Sequence, residues 1–174
     1  MTPMQHQVRM MAAYNHYANT RLYDAAARCD APTLQADRGA FFTSILGVLN
    51  HLVVTDSMWL TRMADGISPQ GTKLDAILHE DFAALRAVRT ALDARIIAHV
   101  ETLSEGDLNG PLTYRTSTGS PFTQTRADVL AHFFNHQTHH RGQAHHLLGL
   151  AVGQRETPVL DLLGYQRSLT RTVP

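Results

Sequence analysis

A chain of 174 residues, 44% hydrophobic and 17% charged, is long enough to bury one core in a single domain. Fifteen basic residues balance fifteen acidic ones, which argues against a surface built to bind nucleic acid phosphates. No apolar run approaches the roughly 18 residues that a membrane span needs, and we find no secretory signal pattern. Cys29 is the single cysteine and cannot form an internal disulfide. We therefore expect a cytoplasmic protein without a nucleic acid or membrane partner.

Apolar residues recur at helical spacing in three segments of the first part of the chain. The first segment runs from Met4 to Cys29, and Pro32 blocks its continuation. The second runs from about Thr43 to Ala64 and stops at the Asp-Gly pair at 65–66. The third runs from about Leu74 to Leu103. These stripes predict three long amphipathic helices.

Two of the apolar stripes are interrupted by a polar residue. Asn15 fills a gap in the first stripe, and Asp56 fills a gap in the second. A buried amide or acid without a partner costs about 1–3 kcal/mol or more. We therefore expect each of the two side chains to be hydrogen-bonded inside the protein.

The apolar period changes near residue 112. In the segment LTYRTSTGSPF, residues 112–122, Leu112, Tyr114 and Thr116 alternate with polar neighbours, and TGSP supplies a turn. This pattern predicts a small β-like hairpin or an ordered loop.

A fourth long helix follows this segment. Thr125 is a candidate N-cap, with Asp128 three residues later in a capping-box position. The helix is expected to end near Gly149 or Gly153. A short C-terminal piece begins with Pro158 at a favourable first helical position.

Four long amphipathic helices with connections of moderate length predict an all-α fold. The expected architecture is an antiparallel four-helix bundle with a small β-like hairpin or loop before the last long helix. No internal repeat or long linker divides the sequence, so residues 1–174 are expected to form one domain.

The fourth helix carries an unusual number of histidines. The segment HFFNHQTHHRGQAHH, residues 132–146, holds six of the eleven in the chain. Residues four apart lie on nearly one face of a helix, so His132, His136 and His140 form a ridge. Two histidines at this spacing can direct ring nitrogens at one cation, but such pairs also arise by chance on a polar helix face. Spacing alone does not choose between the two pairs of the ridge.

A metal site needs at least a third ligand from elsewhere in the chain. The histidines outside the fourth helix are the candidates, together with the carboxylates: His6, His16, His51, His79 and His99. Helical periodicity places His51 to one side of its apolar stripe and does not select it.

Several other chemistries lack their sequence signatures. There is no HExxH motif, no Glu-x-x-His repeat of a di-iron bundle and no Cys-x-x-Cys pair. There is also no Gly-rich phosphate loop and no GxSxG elbow. Any catalytic chemistry therefore belongs to the histidines and a metal ion.

In the segment LNHLVVTDSMWL an acid follows a histidine by five residues, and an aromatic residue follows three later. These residues are His51, Asp56 and Trp59. This segment and the histidine-rich segment resemble motifs of the DinB family of small metalloenzymes, and LNHLVVTDSMWL is similar to the second-helix pattern of that family. The segments YNHYANTRL and TYRTSTGSPFTQT also look like features of the family, so the resemblance covers nearly the whole chain.

The second and more specific motif lies in the histidine-rich segment. HFFNHQTHHRGQAHHLL resembles the His-x-x-x-His of the family followed by Arg-Gly-Gln. The matching residues are His136, His140, Arg141, Gly142 and Gln143.

The resemblance implies a four-helix bundle that holds one divalent metal ion through three histidines, here His51, His136 and His140. Zinc, nickel or iron would suit such a site.

Relatives include thiol-dependent isomerases and transferases. We therefore expect a metal-dependent enzyme, a thiol-dependent S-transferase or isomerase, that acts on a small electrophile with a low-molecular-weight thiol. The alternatives are a hydrolase that uses metal-bound hydroxide and a non-catalytic, stress-related metal-binding or scaffold protein. Family members often pair, so a homodimer is expected.

Three further residues are candidates for a supporting shell around the ligands. Asp56 either orients a ligand histidine or pairs with a core arginine or Asn15. Arg141 and Gln143 either contact the substrate or pair between helices. Trp59 is expected to belong to the core.

Overall fold

The computed structural model describes residues 1–67 and 73–170, and its helices account for most of them. In chain order the elements are α1 (Pro3–Ala26), α2 (Ala31–Gln35), α3 (Ile45–Asp65), α4 (Phe82–Thr102), α5 (Glu105–Asn109), β1 (Pro111–Arg115), β2 (Pro121–Thr125), α6 (Arg126–Val152) and α7 (Leu162–Thr170). A 3₁₀ turn (Gln154–Glu156) follows α6. The strands β1 and β2 form an antiparallel hairpin. The predicted all-α bundle with a small hairpin before the last long helix is confirmed.

The long helices α1, α3, α4 and α6 pack in a ring, in the order α1, α4, α3, α6. Gln5 at the start of α1 donates to the carbonyl of Leu103 just after α4, and Asp24 near the end of α1 pairs with Arg86 near the start of α4. These two helices are therefore antiparallel. The α3 and α6 helices are antiparallel too, since the end of α3 receives a hydrogen bond from Arg126 at the start of α6.

The α3 and α4 helices run parallel to each other. Asn50 in α3 bonds the backbone of His79, just before α4, and Asp56 one to two turns later bonds Arg89 inside α4. Because α1 is antiparallel to α4 and α6 is antiparallel to α3, α1 and α6 are also parallel to each other. Parallel neighbours cannot be joined by a tight turn, because α4 begins near the end of the bundle at which α3 begins. We call residues 73–81, the described residues just before α4, the return segment.

The start of the predicted third helix, at Leu74, is wrong. The helix begins at Phe82, and Asp81 caps it by accepting a hydrogen bond from the backbone N–H of Ala84 at 2.7 Å. Leu74 and Leu78 are about half exposed, at 47% and 51%. Their spacing continues the apolar stripe of α4 by coincidence, because this part of the chain is the return segment rather than a helix.

Of two predictions about helix starts in the second half of the chain, one is confirmed in part and the other is wrong. Thr125 is the N-cap residue of α6 as predicted, but its side chain makes no cap hydrogen bond, so no capping box forms with Asp128. Thr125 is also the last residue of β2, which fixes its backbone through strand pairing. Pro158 lies before α7, which begins at Leu162. The helices α2 and α5 were not predicted, because five residues are too few to show a period.

The other predicted ends agree with the structure. Ser44 caps α3 by accepting from the N–H of Gly47, and Gly66 ends it in the left-handed region with φ of 69°. Gly153 is the C-cap of α6. Trp59 belongs to the hydrophobic core, as predicted.

A network of charged and amide side chains lies inside the bundle. Asp56 is fully buried, and its carboxylate accepts from Arg89 at 2.6 Å and from the amide of Gln137. Arg89 also pairs with Asp93 at 2.8 Å. The expectation that Asp56 is paired is confirmed, and among its alternatives the partner is a core arginine.

The α1 helix completes this network from the other side of the bundle. Asn15 and Asn19 donate to the carboxylate of Asp93 at 3.4 and 3.0 Å. The side-chain oxygen of Asn15 accepts from Arg141 of α6 at 2.5 Å. Asn15 is thus paired as expected, and the network connects all four long helices. We call the connected side chains the buried network: Asn15, Asn19, Asp56, Arg89, Asp93, Gln137 and Arg141.

Replacing Asp56 by alanine should strongly destabilise the protein. The change leaves the Arg89 guanidinium buried without one of its two carboxylates, and breaking a buried ion pair from one side costs about 3–5 kcal/mol. The measurement is the free energy of unfolding at pH 7.5 from denaturant titration.

Asp24→Ala is the matched control. Asp24 forms an ion pair with Arg86 that is about half exposed on both sides, and such surface pairs contribute about 0–1 kcal/mol. Equal, small losses in the two variants would contradict a stabilising role for the buried network.

Candidate metal centre

Three histidines converge where α3 packs against α6. His51 comes from α3, and His136 and His140 lie one turn apart on α6. One ring nitrogen from each lies within 4.8 Å of the other two. We call these three residues the histidine cluster. It contains the three residues that the family motifs indicate.

The spacing in the cluster suits a shared cation. The Nε2 atoms of His51 and His136 are 3.4 Å apart. Two nitrogens bound to one ion at about 2.0–2.1 Å, with a tetrahedral angle between them, lie about 3.4 Å from each other. The donor set therefore fits a divalent metal of the kind that imidazole prefers.

Hydrogen bonds to the protein fix the protonation of two of the rings. Nδ1 of His51 lies 2.7 Å from the carbonyl oxygen of Leu74. A carbonyl can only accept, so Nδ1 carries the proton and Nε2 keeps its lone pair. Nδ1 of His140 likewise donates to the side-chain oxygen of Gln143 at 2.8 Å. Metal-binding histidines are usually held in this way, with the second nitrogen bound to a carbonyl, amide or carboxylate.

His136 differs from the other two histidines. Its Nδ1 is buried and has no hydrogen-bond partner in the described part of the chain. Its Nε2 faces the Nε2 of His51. That His51 nitrogen carries a lone pair, because the contact with Leu74 holds the proton of His51 on Nδ1. In the tautomer of His136 with its proton on Nδ1, a cation between these two nitrogens satisfies both lone pairs, which is a second reason why the cluster fits a metal.

Burial sets the charge state of the cluster. Burial lowers the pKa of His51 and His140, and it lowers the pKa of His136 to about 3, with further lowering by the positive charges that His140 and His51 carry when protonated. The three imidazoles are therefore neutral at physiological pH. Only the neutral ring binds a metal ion, so the site is ready for one without losing a proton first.

The structure separates the three residues predicted to support the ligands. Gln143 contacts His140 directly and also donates to His139 at 3.2 Å. Arg141 turns to the opposite side of α6, where it meets α1 and lies 5.3 Å above the ring of Tyr14. Asp56 bonds within the buried network rather than to a histidine of the cluster.

Two contacts to the cluster were not predicted from the sequence. The ring of Phe42 stacks on His51, with ring centres 3.9 Å apart, and meets His140 edge-on at 5.5 Å. The carbonyl of Leu74 binds His51. Both residues lie outside the helices. No apolar period includes Phe42, and the period that includes Leu74 predicts a helix that does not form there. The only signal was the pair Phe41–Phe42 just before the helix that carries His51.

The remaining histidines of α6 lie outside the cluster. His132 is exposed and packs edge-on against Trp59 at 5.3 Å. His145 contacts the carbonyl of Pro158 at 2.9 Å, and His146 is exposed. These positions are those of hydrogen-bonding and solvated side chains.

Comparison with known proteins places the chain in context. The DinB family model matches residues 4–170, nearly the whole chain, and includes all three histidines of the cluster. A search of curated proteins found no match. Among the helices that the structure describes, none combines the length and the apolar character needed to cross a membrane.

Acid should destabilise the metal-free protein through His136. Its pKa of about 3 in the folded state lies below the ordinary value of 6.5. Between these two pH values His136 binds a proton in the unfolded chain but not in the folded chain. This residue therefore costs no stability above pH 6.5, and stability is lost as the pH falls from 6.5 toward 3. The measurement is the free energy of unfolding of chelator-treated protein at pH 7.5, 6 and 5.

His136→Gln should reduce this pH dependence, because glutamine does not titrate. His146→Gln, an exposed position on the same helix, should behave as the wild type. If His136→Gln shows the same pH dependence as the wild type, His136 is not held neutral by the fold.

Proposed function

The chain belongs to the DinB family, and we propose that it is a metal-dependent enzyme whose histidine cluster holds one divalent ion, with zinc, nickel or iron as the candidates. The observation that carries the proposal is the convergence of His51, His136 and His140 with their free nitrogens facing one another. The hydrogen bonds of Leu74 and Gln143 support it, because they orient two of the rings for binding through Nε2.

A ligand set of three neutral imidazoles favours catalysis over a purely structural role. Structural zinc is usually closed by four protein ligands, whereas catalytic sites keep a position open for water or substrate. The described cluster contains histidines only, so the full double positive charge of the ion would remain. When bound, such an ion lowers the pKa of a thiol or a water molecule that it holds.

We propose that the reaction joins a low-molecular-weight thiol to a small electrophile, as an S-transferase or isomerase. A site with net positive charge and no acidic ligand favours an anionic partner such as a thiolate. In a transfer, the thiol gives up its proton, a sulfur–carbon bond forms, and the leaving group departs with its bonding electron pair. His51, His136 and His140 would hold the ion, and the ring of Phe42 lies against two of these three histidines.

Metal content tests the ligand assignment. His51→Ala should lose bound metal, because two protein ligands remain of three. The exposed His146 provides the control on the histidine-rich helix: His146→Ala should keep about one ion per chain, as the wild type does. The measurement is elemental analysis of proteins purified identically without a polyhistidine tag. Equal metal content in the two variants would rule out the histidine cluster as the binding site.

Turnover of a model electrophile tests the reaction. With 1-chloro-2,4-dinitrobenzene, the wild type should accelerate loss of the electrophile only when cysteine or glutathione is present. Chelation should abolish the acceleration and added metal should restore it, while His51→Ala should stay at the uncatalysed rate. Consumption of an ester or amide substrate without any thiol would instead identify a hydrolase. Bound metal with no turnover of any of these substrates would contradict the enzyme proposal.

A further inference from the structure

The turn between α2 and α3 has an unusual backbone. The backbone N–H of Arg38 donates to the carbonyl of Thr43, and that of Thr43 donates to Ala40, both at 2.8 Å. Thr43 has a φ of 60°, in the left-handed region that β-branched residues avoid. A backbone of this kind costs about 1–3 kcal/mol and persists only where the surroundings enforce it. The strained residue directly follows Phe42.

Gly47 allows this turn to press against the first turn of α3. A Cβ atom at position 47 would lie 2.0 Å from the carbonyl oxygen of Phe42, a distance that no packed structure tolerates. The clash is with backbone, so a side-chain rotation cannot relieve it. The position of the Phe42 backbone therefore requires glycine at position 47.

This backbone conformation fixes the position of the Phe42 ring. The Phe42 ring is buried and lies nearly parallel to the ring of His51, at an angle of 21° and a centre distance of 3.9 Å. The same ring meets His140 at 72°. A single side chain outside the helices thus touches two histidines that come from two different helices.

The ring contact supplies an orientation that the hydrogen bond of His51 does not. The χ2 torsion of histidine is broad, and a single hydrogen bond at Nδ1 still leaves the ring some freedom to tilt, because N–H···O bonds tolerate a range of angles. A flat ring stacked on its face removes that freedom. His51 is then held along its edge by Leu74 and on its face by Phe42.

We propose that Phe42 is a positioning residue of the metal centre, and that Gly47 is glycine because the placement of Phe42 demands it. The inference rests on the proposed metal binding by the histidine cluster. Phe42 acts through His51 and His140 and does not itself ligate. Its removal should loosen the direction of the His51 nitrogen and weaken binding, as the loss of groups that orient metal ligands typically does, by about 10–100-fold.

The test measures zinc affinity by competition with a chelating indicator, and coordination geometry by the visible spectrum of the cobalt-substituted protein. Phe42→Ala should bind zinc about 10–100-fold more weakly and change the cobalt bands. Phe42→Leu keeps an apolar side chain in the core but has no flat face, so it should fold and show the same spectral change. Phe41→Ala is the matched control, since Phe41 is 86% exposed in the same turn, and it should match the wild type.

Gly47→Ala tests the backbone part of the inference. It should reduce zinc affinity as Phe42→Ala does, while Gly106→Ala, where an added Cβ meets only ordinary contacts, should not. Wild-type affinity and an unchanged cobalt spectrum in a folded Phe42→Leu or Gly47→Ala protein would overturn the inference. If such a variant behaves as the wild type while His51→Ala abolishes binding in the same assay, only the role of Phe42 is overturned. If His51→Ala binds normally, the proposed metal site itself falls.

Discussion

The ion pair between Asp56 and Arg89 is the interaction on which the rest of the bundle depends. Both side chains are almost fully buried, so water cannot solvate either charge when its partner is displaced. Burial raises the pKa of Asp56 to about 6, and the guanidinium opposes that rise and favours the charged form. Through Gln137 and Asp93 the pair extends to α6 and α1. Apolar stripes can slide past each other by a turn at modest cost, whereas these directed bonds fit one register only.

That register is also the register of the histidine cluster. Gln137, which bonds Asp56, directly follows His136 in α6, and Asp56 lies five residues after His51 in α3. The contact that aligns the two helices therefore adjoins the two histidines that must meet between them. One turn after Gln137, on the same buried face of α6, Arg141 performs the same task toward α1. The motif residues after His140 thus divide between the two faces of the helix, with Gln143 serving the histidine and Arg141 serving the fold.

The sequence predicts the long helices well because each carries an apolar stripe, and it predicts polar residues such as Asp56 to be paired because they interrupt a stripe. It does not identify the partner, since Arg89 lies 33 residues away and nothing local connects the two. Periodicity also failed to select His51, which only the family motif indicates. The same periodicity misled at Leu74, where leucine spacing continues a stripe beyond the true start of α4. The position of Phe42 depends on a left-handed residue and an intersegment contact, and neither leaves a pattern in the sequence.

The parallel arrangement of α3 and α4 explains why a loop carbonyl reaches the histidine cluster. A bundle of strictly alternating helices would join these neighbours by a short turn, but here the residues just before α4 lie beside the histidine cluster. Asn50 fixes the returning segment by bonding both the N–H and the carbonyl of His79 at 3.0 Å. The fixed segment then presents the Leu74 carbonyl to His51. The helices thus supply the nitrogens, and the connections required by the topology supply groups that aim them. Loops tolerate change better than packed helices, so these connections can change while the three histidines keep their places.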